Sequence, residues 1–494
     1  MRCQYAGRGA PVKMGLCDVV GSIPPPVRYR WRTRATVADG EHDIASLDRI
    51  DGTVPPDLNG VLYRVGPGKH DVGGHTYDHW LDGDGMVRAF RFADGRVSFK
   101  NRYVRTPWFE KESRVGRPLY PNFATRSVGG LLKSALQGGP KNPANTNIVQ
   151  IGGRLLALWE GGRPFRLDPD TLATEGEEDF GGALGRASSF SAHPHLDAST
   201  GDVYNLGMAF GRMPALNLFR LRPTGTLERL GQIPMPKPFM VHDFCVTARS
   251  VVIVAGPLYM NLRKMVGQIL GRNSLLECFE WHGNEPLRVF VADRNGCDPV
   301  RTYELDTGMM VHGANAFDDG ADTIVDCALY TQGNPLTIVD DAFQGRVPVT
   351  PPGQLTRIRL GGNGTARREM VAAEGIDFPR VDERKSSRAH RAVYALEFVN
   401  ASFGSSRILQ IDVETGRVRA HDFGPGCHAG EPVFAARPGG TAEDDGWLLS
   451  VVYDARDHHS VLGIVPADRF GQDDVRVHLP FHNPLEFHGN FYPR

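Results

Sequence analysis

The chain has 494 residues, a length that permits two or three domains or one large β fold. Apolar residues make up 41% and charged residues 23% of the sequence, which is ordinary for a globular protein. The net charge of −1 gives no field that would attract nucleic acid, so no nucleic-acid partner is expected. The seven cysteines are widely spaced, without a Cys-x-x-Cys pair. This spacing argues against a disulfide framework and indicates a reducing compartment.

The N-terminal residues 1–40 contain a Pro-Pro-Pro run and many arginines. They are predicted to form a weakly ordered leader, in which Met14 offers an alternative start to Met1. This segment lacks the continuous apolar core of a signal peptide. No stretch of the chain approaches the ~20 apolar residues that a membrane-spanning helix needs. A cytoplasmic protein is therefore expected, with residues 41–494 as a single domain.

Short β-prone runs alternate with turns rich in Gly, Pro, Asp and Asn from about residue 50 onward. Repeated strand–turn–strand units over roughly 400 residues favour an all-β sandwich, barrel or propeller. A propeller suits this length best, because each four-stranded blade takes about 40–50 residues. The clearest runs are 97–99, 155–159, 251–254, 323–325, 355–358, 393–396 and 447–453.

Two segments, 127–138 and 261–276, depart from this β pattern. Their apolar residues recur at i, i+3 and i+4, which predicts short amphipathic helices. In the second segment, Arg263 and Lys264 lie opposite the apolar side chains. Such helices usually pack on the body of a domain. A basic face opposite an apolar face also suits a bilayer surface, so peripheral membrane contact through both segments is the alternative.

Four of the seventeen histidines stand in distinctive settings near the ends of β-prone runs. They are His193 in Ala-His-Pro-His, His242 in Val-His-Asp-Phe, His312 in Val-His-Gly-Ala-Asn and His488 in Phe-His-Gly-Asn. They lie far apart in sequence, but the inner strands of different propeller blades converge on one axis. Widely separated rings can therefore become neighbours around one ion, although the spacing of these histidines alone does not reveal a metal site. His195, two residues after His193, is interpreted as an outer or core group.

These four settings resemble the histidine motifs of the carotenoid cleavage oxygenase family. The resemblance covers roughly residues 45–494 in the expected order. Further matching stretches are Leu58-Asn59-Gly60, His79 to Met86, Asn101 to Thr106, Ala144 to Asn147 and Phe378 to Asp382. The resemblance implies a seven-bladed β-propeller with a helical and loop cap over the metal centre. It also implies one Fe(II) per chain on the four histidines, which suit such a borderline metal, and dioxygen as co-substrate.

Family members use three glutamates to orient the ligating histidines. The resemblance assigns Glu160 and Glu431 to two of these positions, whereas the third is Asp377 here. Because aspartate is one methylene shorter, a direct hydrogen bond from Asp377 requires a backbone shift or a bridging water. Glu374 and Glu383 lie nearby but outside the motif register, and Asp377 as a plain loop carboxylate is the alternative.

Three further residues are assigned roles near the substrate. The resemblance places Thr146 beside an open coordination position, with an ordinary strand threonine as the alternative. Trp159 precedes Glu160, and pleating puts neighbours on opposite faces, so it lines the substrate tunnel only if the strand bends or ends there. Core packing of Trp159 is the alternative. The hydroxyl of Tyr103 could hydrogen-bond a phenolic substrate.

Similarity around residues 144–168 and 312–360 is highest to the bacterial apocarotenoid-cleaving branch of the family. It implies dioxygenase cleavage of a C=C bond in a carotenoid or apocarotenoid, with 15,15′ cleavage giving retinal and a second aldehyde. Lignostilbene-cleaving relatives carry a lysine where this chain has Trp159, which weakens the hydroxystilbene alternative, although Tyr103 keeps it open. A polyene isomerase-hydrolase and a non-catalytic lipid-binding propeller are the remaining alternatives.

Overall fold

The computed structural model describes residues 37–77, 79–126, 140–185, 188–209, 213–343, 350–398 and 405–494. Over these residues the protein is mostly β. The strands, numbered in chain order, are β1 (Asp43–Ile44), β2 (Ile50–Asp51), β3 (Gly60–Lys69), β4 (Asp71–Val72), β5 (His75–Thr76), β6 (Asp84–Ala93), β7 (Arg96–Tyr103), β8 (Asn147–Ile151), β9 (Arg154–Leu158), β10 (Phe165–Leu167), β11 (Thr174–Glu177), β12 (His195–Leu196), β13 (Val203–Ala209), β14 (Ala215–Leu221), β15 (Leu227–Pro234), β16 (Cys245–Val246), β17 (Ser250–Ala255), β18 (Leu258–Met260), β19 (Phe279–Trp281), β20 (Leu287–Asp293), β21 (Val300–Leu305), β22 (Met309–Asp319), β23 (Asp322–Tyr330), β24 (Gln354–Leu360), β25 (Ala366–Arg380), β26 (Ala392–Glu397), β27 (Arg407–Asp412), β28 (Val418–Asp422), β29 (Cys427–Ala429), β30 (Val433–Ala436), β31 (Gly446–Asp454), β32 (His459–Pro466), β33 (Val475–His478) and β34 (Gly489–Pro493). The α-helices are α1 (Pro107–Val115), α2 (Leu262–Ile269) and α3 (Leu336–Phe343).

Antiparallel pairing organises most of these strands into six larger sheets within the described residues. Their strand orders are β1-β7-β6-β3-β34, β11-β10-β9-β8, β12-β13-β14-β15, β16-β17-β20-β21, β22-β23-β24-β25-β26-β27-β28 and β2-β33-β32-β31-β29, with β30 also on β31. The last strand, β34, pairs with β3, in a register that places Gly489 opposite Arg64. The two ends of the described chain therefore share one sheet.

The long strand β25 belongs to two groups of strands. Its first part pairs with β24, from Ala366 opposite Leu360 to Gly375 opposite Gln354. Its second part pairs with β26, beginning with Ile376. The seven-stranded sheet therefore consists of two four-stranded groups that share β25.

The core lies between neighbouring sheets, which explains why many strands are apolar on both faces. All nine residues of β31 are buried, for example. In one cluster, Phe90 from the first sheet packs with Leu449 and Leu462 from the sheet that holds β31. Burying each such side chain contributes on the order of 1.5–3 kcal/mol. The β-prone runs read from the sequence all lie in strands, although the run 155–159 ends one residue early, at Leu158.

The predicted helix at 261–276 is shorter than expected, since α2 covers only Leu262–Ile269. Asn261 caps it by accepting hydrogen bonds from two backbone N–H groups of the first turn. Its apolar side chains point outward, because Leu262 is 61% and Val266 is 58% exposed. The expectation that this helix packs its apolar face on the domain is therefore wrong.

Several predictions concern residues outside the described ranges. They are the helix at 127–138 and residues 1–36 of the leader. Among the described helices, none has the length and apolar character that crossing a bilayer requires. The five described cysteines are free and buried.

Candidate metal centre

The four predicted histidines converge at one point. His242 lies in the loop before β16, His488 lies directly before β34, His193 precedes β12, and His312 lies within β22. One ring nitrogen from each residue lies within 4.8 Å of those of the other three. The Nε2 atom of His242 is 3.1 Å from that of His193 and 3.2 Å from that of His312. Side chains in or before strands of four different sheets thus point their ring nitrogens at a common centre.

These distances fit a single metal ion. Imidazole nitrogens lie about 2.1 Å from a divalent transition metal, so adjacent ligands at right angles lie about 3.0 Å apart and tetrahedral ones about 3.4 Å apart. The spacings at His242, 3.1 and 3.2 Å, lie between these two values. Four nitrogen ligands arranged in this way leave room for further ligands, and an imidazole set suits iron among other transition metals.

Burial keeps at least two of the rings neutral. It lowers the pKa of His193 well below the ordinary value, and the other three rings lower it further. Burial also lowers the pKa of His488 to about 4, although Glu431 acts in the opposite direction. Both rings are therefore unprotonated on one nitrogen at neutral pH, as a metal ligand must be.

Three carboxylates hold the opposite nitrogens of three rings. The Nδ1 atom of His242 contacts Oε1 of Glu160. That of His312 lies 2.7 Å from Oδ1 of Asp377, and that of His488 lies 3.0 Å from Oε1 of Glu431. A carboxylate at Nδ1 fixes the proton there, which turns the Nε2 lone pair toward the metal. The three acidic residues that the sequence singled out are therefore all in contact with ligand candidates.

Asp377 reaches His312 directly, at a point where the backbone departs from regular β geometry. The pairing of β25 with β26 shifts register between Asp377 and Arg380. Phe378, between them, has a φ of +52°, which a non-glycine residue rarely adopts. The contact is thus direct and needs no bridging water, and a backbone irregularity lies beside it. The second oxygen, Oδ2, accepts a hydrogen bond from the hydroxyl of Tyr330 at 2.7 Å.

Glu431 forms the most heavily bonded carboxylate of the three. Its Oε2 accepts from Arg64 Nη1 at 2.6 Å and from the backbone N–H of Gly489 at 3.1 Å, while Oε1 accepts from Arg380 Nη1 at 3.1 Å. Burial would raise the pKa of Glu431, but Arg380, His488 and Arg64 hold it well below its usual value. Two arginines thus stabilise the charge that orients His488.

An apolar cavity opens onto the histidine cluster. It encloses about 970 Å³ of empty space, counting its opening. His242, His312 and His488 form its inner end together with Glu160 and Asp377. Its remaining walls are mostly apolar, and they include Leu81, Phe123, Met240, Met309, Leu336, Ile338, Val339, Phe398 and Phe487. Walls of this kind suit a hydrophobic ligand beside the histidines.

Thr146 and Trp159 both line this cavity. Thr146 directly precedes β8, and its hydroxyl donates to Oδ1 of Asn145 at 3.2 Å. Strand β9 ends at Leu158, so Trp159 and Glu160 are released from strand alternation and both reach the cavity. Gly161 permits this arrangement, because a Cβ there would lie 2.4 Å from the Trp159 indole.

Tyr103 lies outside the cavity wall that the described residues form. Its hydroxyl donates to the carbonyl of Gly68 at 3.1 Å, and its ring packs against Phe109 with centroids 5.3 Å apart. Tyr103 at the end of β7 thus connects neighbouring chain segments, and its contact with a phenolic substrate stays a prediction.

A second, more polar cavity reaches the cluster from another side. Its walls include His193, His312 and His488, together with His195 and Asp243. The expectation that His195 is an outer group agrees with its position, because its Nε2 lies 2.8 Å from Oδ1 of Asp243. The histidine cluster therefore separates an apolar cavity from a polar one.

Several residues that support the cluster could not be recognised from the sequence. Tyr330 ends an ordinary apolar strand, and nothing in that run distinguishes its hydroxyl from a buried structural one. Arg380 stands in a matching stretch, but its contact with Glu431, like that of Arg64, joins segments far apart in the chain. The position of Asp243 directly after His242 was the one available signal for that residue.

The protein is thus a mostly β protein with a candidate four-histidine metal centre, in which carboxylates contact three of the four histidines. The family model described as retinal pigment epithelial membrane protein matches residues 36–493. The chain belongs to this family, the carotenoid oxygenases. The resemblance read from the motifs is thereby confirmed.

Individual relatives match over most of their length. The apocarotenoid-15,15′-oxygenase of Synechocystis is 34% identical over 457 residues, which cover 90% of this chain and 92% of the relative. Resveratrol cleavage oxygenase 1 of Aspergillus fumigatus is 29% identical, over 91% of this chain and 93% of the relative. The solved structure of cobalt-substituted Synechocystis apocarotenoid oxygenase matches with a TM-score of 0.87 and 33% identity, over 94% of this chain and 98% of that one.

Proposed function

We propose that the protein is a non-haem Fe(II) dioxygenase, with one iron per chain, that cleaves a C=C bond of an apocarotenoid or carotenoid. The observation that carries the proposal is the convergence of four histidine nitrogens within 4.8 Å at the inner end of an apolar cavity. His193, His242, His312 and His488 are the proposed ligands. The cobalt-substituted relative supports a metal of this kind at the site.

The residues of this chain would divide the work as follows. Bound Fe(II) would supply the activation of dioxygen. Glu160, Asp377 and Glu431 hold a proton on the Nδ1 atoms of three ligands, so the Nε2 lone pairs face the centre. Thr146, at the cavity side, narrows one of the positions that the histidines leave open.

The cavity walls would select and orient the substrate. Apolar side chains exclude water and bind a polyene along its length, which holds one double bond beside the histidines. Trp159 presents a flat ring at this end of the cavity, suited to stack on conjugated carbon. Central 15,15′ cleavage to retinal is the preferred reaction, because the Synechocystis relative is named for that bond.

Product analysis with isotopically labelled dioxygen tests the proposal. The iron-loaded protein would be incubated with an apocarotenal, a C40 carotenoid and a hydroxystilbene, and the products reduced at once to stop exchange with water. Label in two shortened aldehydes from the apocarotenal is the expected result. Cleavage of the hydroxystilbene alone would replace the substrate assignment, an unshortened isomer would indicate an isomerase-hydrolase, and no turnover of any compound would favour a binding protein. A chelator-treated sample is the control.

We also propose that residues 41–494 form one seven-bladed β-propeller, capped by helices and loops over the histidine cluster. Six larger sheets with one of them divisible at β25 support the number seven. The pairing of β3 with β34 supports closure of the ring. Side chains of α3 in the cavity wall support the cap. A crystal structure showing an open stack of sheets would contradict this arrangement.

Finally, we propose that α2 contacts a bilayer surface, as a route for a water-insoluble substrate. Three of its apolar side chains, Leu262, Val266 and Ile269, are 61%, 58% and 54% exposed, whereas the polar Gln268 is buried. Arg263 lies on the same short helix and would face anionic headgroups. The predicted partner segment 127–138 remains part of this hypothesis, and the protein would be cytoplasmic and peripheral.

A further inference from the structure

A single buried carboxylate outside the three already described links several segments of the metal centre. Asp243 is only 4% exposed. Its Oδ2 accepts the backbone N–H of Gly313 at 2.7 Å. Its Oδ1 lies 2.8 Å from Nε2 of His195 and accepts the backbone N–H of Phe244 at 2.7 Å. Both oxygens are therefore fully engaged with groups on three chain segments.

Each of these segments carries a metal ligand at its side. His195 follows His193 by two positions, Gly313 directly follows His312, and the carboxylate itself belongs to the residue after His242. The contacts therefore connect three ligand-bearing segments of different sheets through one side chain. They act on the backbone and on a neighbouring ring, whereas the other three carboxylates act on ligand rings directly.

The local structure of β22 explains why Gly313 needs this partner. The pairing of β22 with β23 shifts register on both sides of Gly313, between Met310 and Gly313 and between Gly313 and Asn315. Such irregularities leave backbone groups without ladder partners, and a buried N–H without a partner is costly. Asp243 accepts that N–H. Close approach also requires glycine, because a Cβ at position 313 would lie 2.5 Å from Sγ of Cys245.

In the segment of the fourth histidine, His488, another carboxylate likewise accepts the N–H of the following glycine. Glu431 accepts the backbone N–H of Gly489, directly after His488, at 3.1 Å. A Cβ on Gly489 would lie 2.2 Å from the carbonyl oxygen of Tyr63, so this position too is restricted to glycine. In two of the four motifs, a His-Gly pair thus presents its glycine N–H to a buried carboxylate on another strand or loop.

We propose that Asp243 is a positioning residue that sets the relative placement of His193, His242 and His312 for metal binding. The inference rests on the proposed four-histidine metal function. Its physical basis is that ligands from different sheets must be held to a fraction of an ångström before the metal arrives, and a shared acceptor of three hydrogen bonds does so without touching the metal. Loss of one link is expected to lower metal affinity by the ~10–100-fold typical of outer partners.

Asp243→Asn is the decisive variant, because it keeps the shape but offers one acceptor oxygen and one N–H₂ group. The N–H₂ group must then face either the backbone N–H of Gly313 or that of Phe244, so one of these two N–H groups loses its acceptor. The matched control is Asp326→Asn, which alters another buried carboxylate, held by Arg357 at 2.7 Å. Among the described residues, Asp326 contacts Arg357 and His390 but none of the four clustered histidines, so its substitution reports the cost of altering a buried charge alone.

Two measurements on full-length protein separate positioning from stability: Co(II) affinity with the visible absorption spectrum of the bound ion, and thermal unfolding of the metal-free protein. We expect Asp243→Asn to weaken Co(II) binding at least tenfold and to alter the spectrum, while Asp326→Asn changes the unfolding temperature but neither metal readout. Wild-type affinity and spectrum in Asp243→Asn would overturn the inference. If this variant does not accumulate as folded protein, His195→Phe decides, since it removes one donor and keeps a ring.

For His195→Phe, which removes one link, we expect Co(II) affinity to fall by about tenfold, and unchanged affinity would overturn the proposal. These readouts do not depend on turnover. A wild-type protein that binds Co(II) but cleaves no polyene would therefore refute the dioxygenase function alone, whereas an active enzyme whose metal binding ignores both substitutions would refute only the role of Asp243.

Discussion

The histidine cluster and helix α2 differ in the interactions that their side chains make. At the centre, carboxylates accept hydrogen bonds from arginines, histidine rings and backbone N–H groups. Glu431 alone accepts from four groups. On α2, the side chains of Leu262 and Val266 face outward, and more than half of the surface of each is exposed. The first region is fixed by directional bonds in a low-dielectric interior. The second carries apolar surface that only another apolar phase would cover.

This difference indicates where substitutions act on geometry and where they act on association. Around the histidines, removal of one group leaves others buried and unpaired, so effects should be large and coupled. On α2, each side chain contributes its own area, so effects should be modest and roughly additive. The following experiments test that contrast from its strongest consequence to its weakest.

Replacement of a proposed ligand should have the largest effect. His312→Ala removes one nitrogen from the cluster and leaves Oδ1 of Asp377 without its ring partner. We expect the protein to lose stoichiometric iron and detectable cleavage activity, measured by metal analysis and product formation. His282→Ala, which changes a ring with a 45% exposed side chain, is the control. Full iron content in His312→Ala would remove this residue from the ligand set.

Loss of an orienting carboxylate should have an intermediate effect. Asp377→Ala frees the Nδ1 proton of His312 and leaves the hydroxyl of Tyr330 without its acceptor. We expect metal affinity or turnover to fall by the ~10–100-fold typical of such partners. Tyr330→Phe, which removes only the hydroxyl, should give a smaller loss. Equal affinities in Asp377→Ala and the wild type would contradict the proposed role of this carboxylate.

The sequence predicted the histidine cluster better than it predicted its support. Four short motifs were sufficient to single out the four histidines whose ring nitrogens the structure brings together. Asp377 could be recognised only by its place before Phe-Pro-Arg, and its reach depends on a positive φ at Phe378 that no sequence pattern reveals. The role of Tyr330 depends on the packing of β23 against β25, which is a property of the assembled sheets.

The fold was predictable in its strands but not in its surface. Alternating turns and apolar runs locate strands such as β17 and β31, because both faces of these strands are buried. The orientation of α2 was not predictable, since the amphipathic pattern is the same whether the apolar face points inward or outward. The hydrogen bond of Tyr103 to the carbonyl of Gly68 was not predictable either, since residue type indicates that a hydroxyl will bond but not to which acceptor.

A buried polar contact between Asp82 and Thr125, beside the apolar cavity, tests whether directional bonds also stabilise the cavity wall. Asp82 is fully buried and accepts from the N–H and hydroxyl of Thr125, at 2.7 and 2.6 Å, next to Leu81 and Phe123 in the cavity wall. Burial raises its pKa from 3.8 to about 6. The folded state therefore binds more protons than the unfolded state between these values, so stability falls as pH rises through that window.

Asp82→Asn should remove this contribution. We expect the variant to lose the fall in unfolding free energy between about pH 4 and pH 6, a difference of order 1–3 kcal/mol across the window, since each pKa unit corresponds to about 1.4 kcal/mol. Urea midpoints measured at several pH values would detect it. Parallel pH profiles for the variant and the wild type would show that Asp82 does not titrate with folding. Iron content should remain unchanged, because this polar contact lies in the wall and not among the ligands.

The smallest expected effect is on membrane association through α2. Leu262→Ser with Val266→Ser should weaken binding to vesicles of mixed neutral and anionic lipid by about tenfold, since each partly inserted side chain contributes on the order of 1 kcal/mol. Val115→Ser with Met370→Ser is the matched control, because these side chains are 48% and 56% exposed on other elements. Activity on a detergent-dispersed substrate should stay at the wild-type level in both variants. If the α2 variant and the control sediment with vesicles equally, the apolar face of α2 does not contact the bilayer, and its exposure needs a different partner.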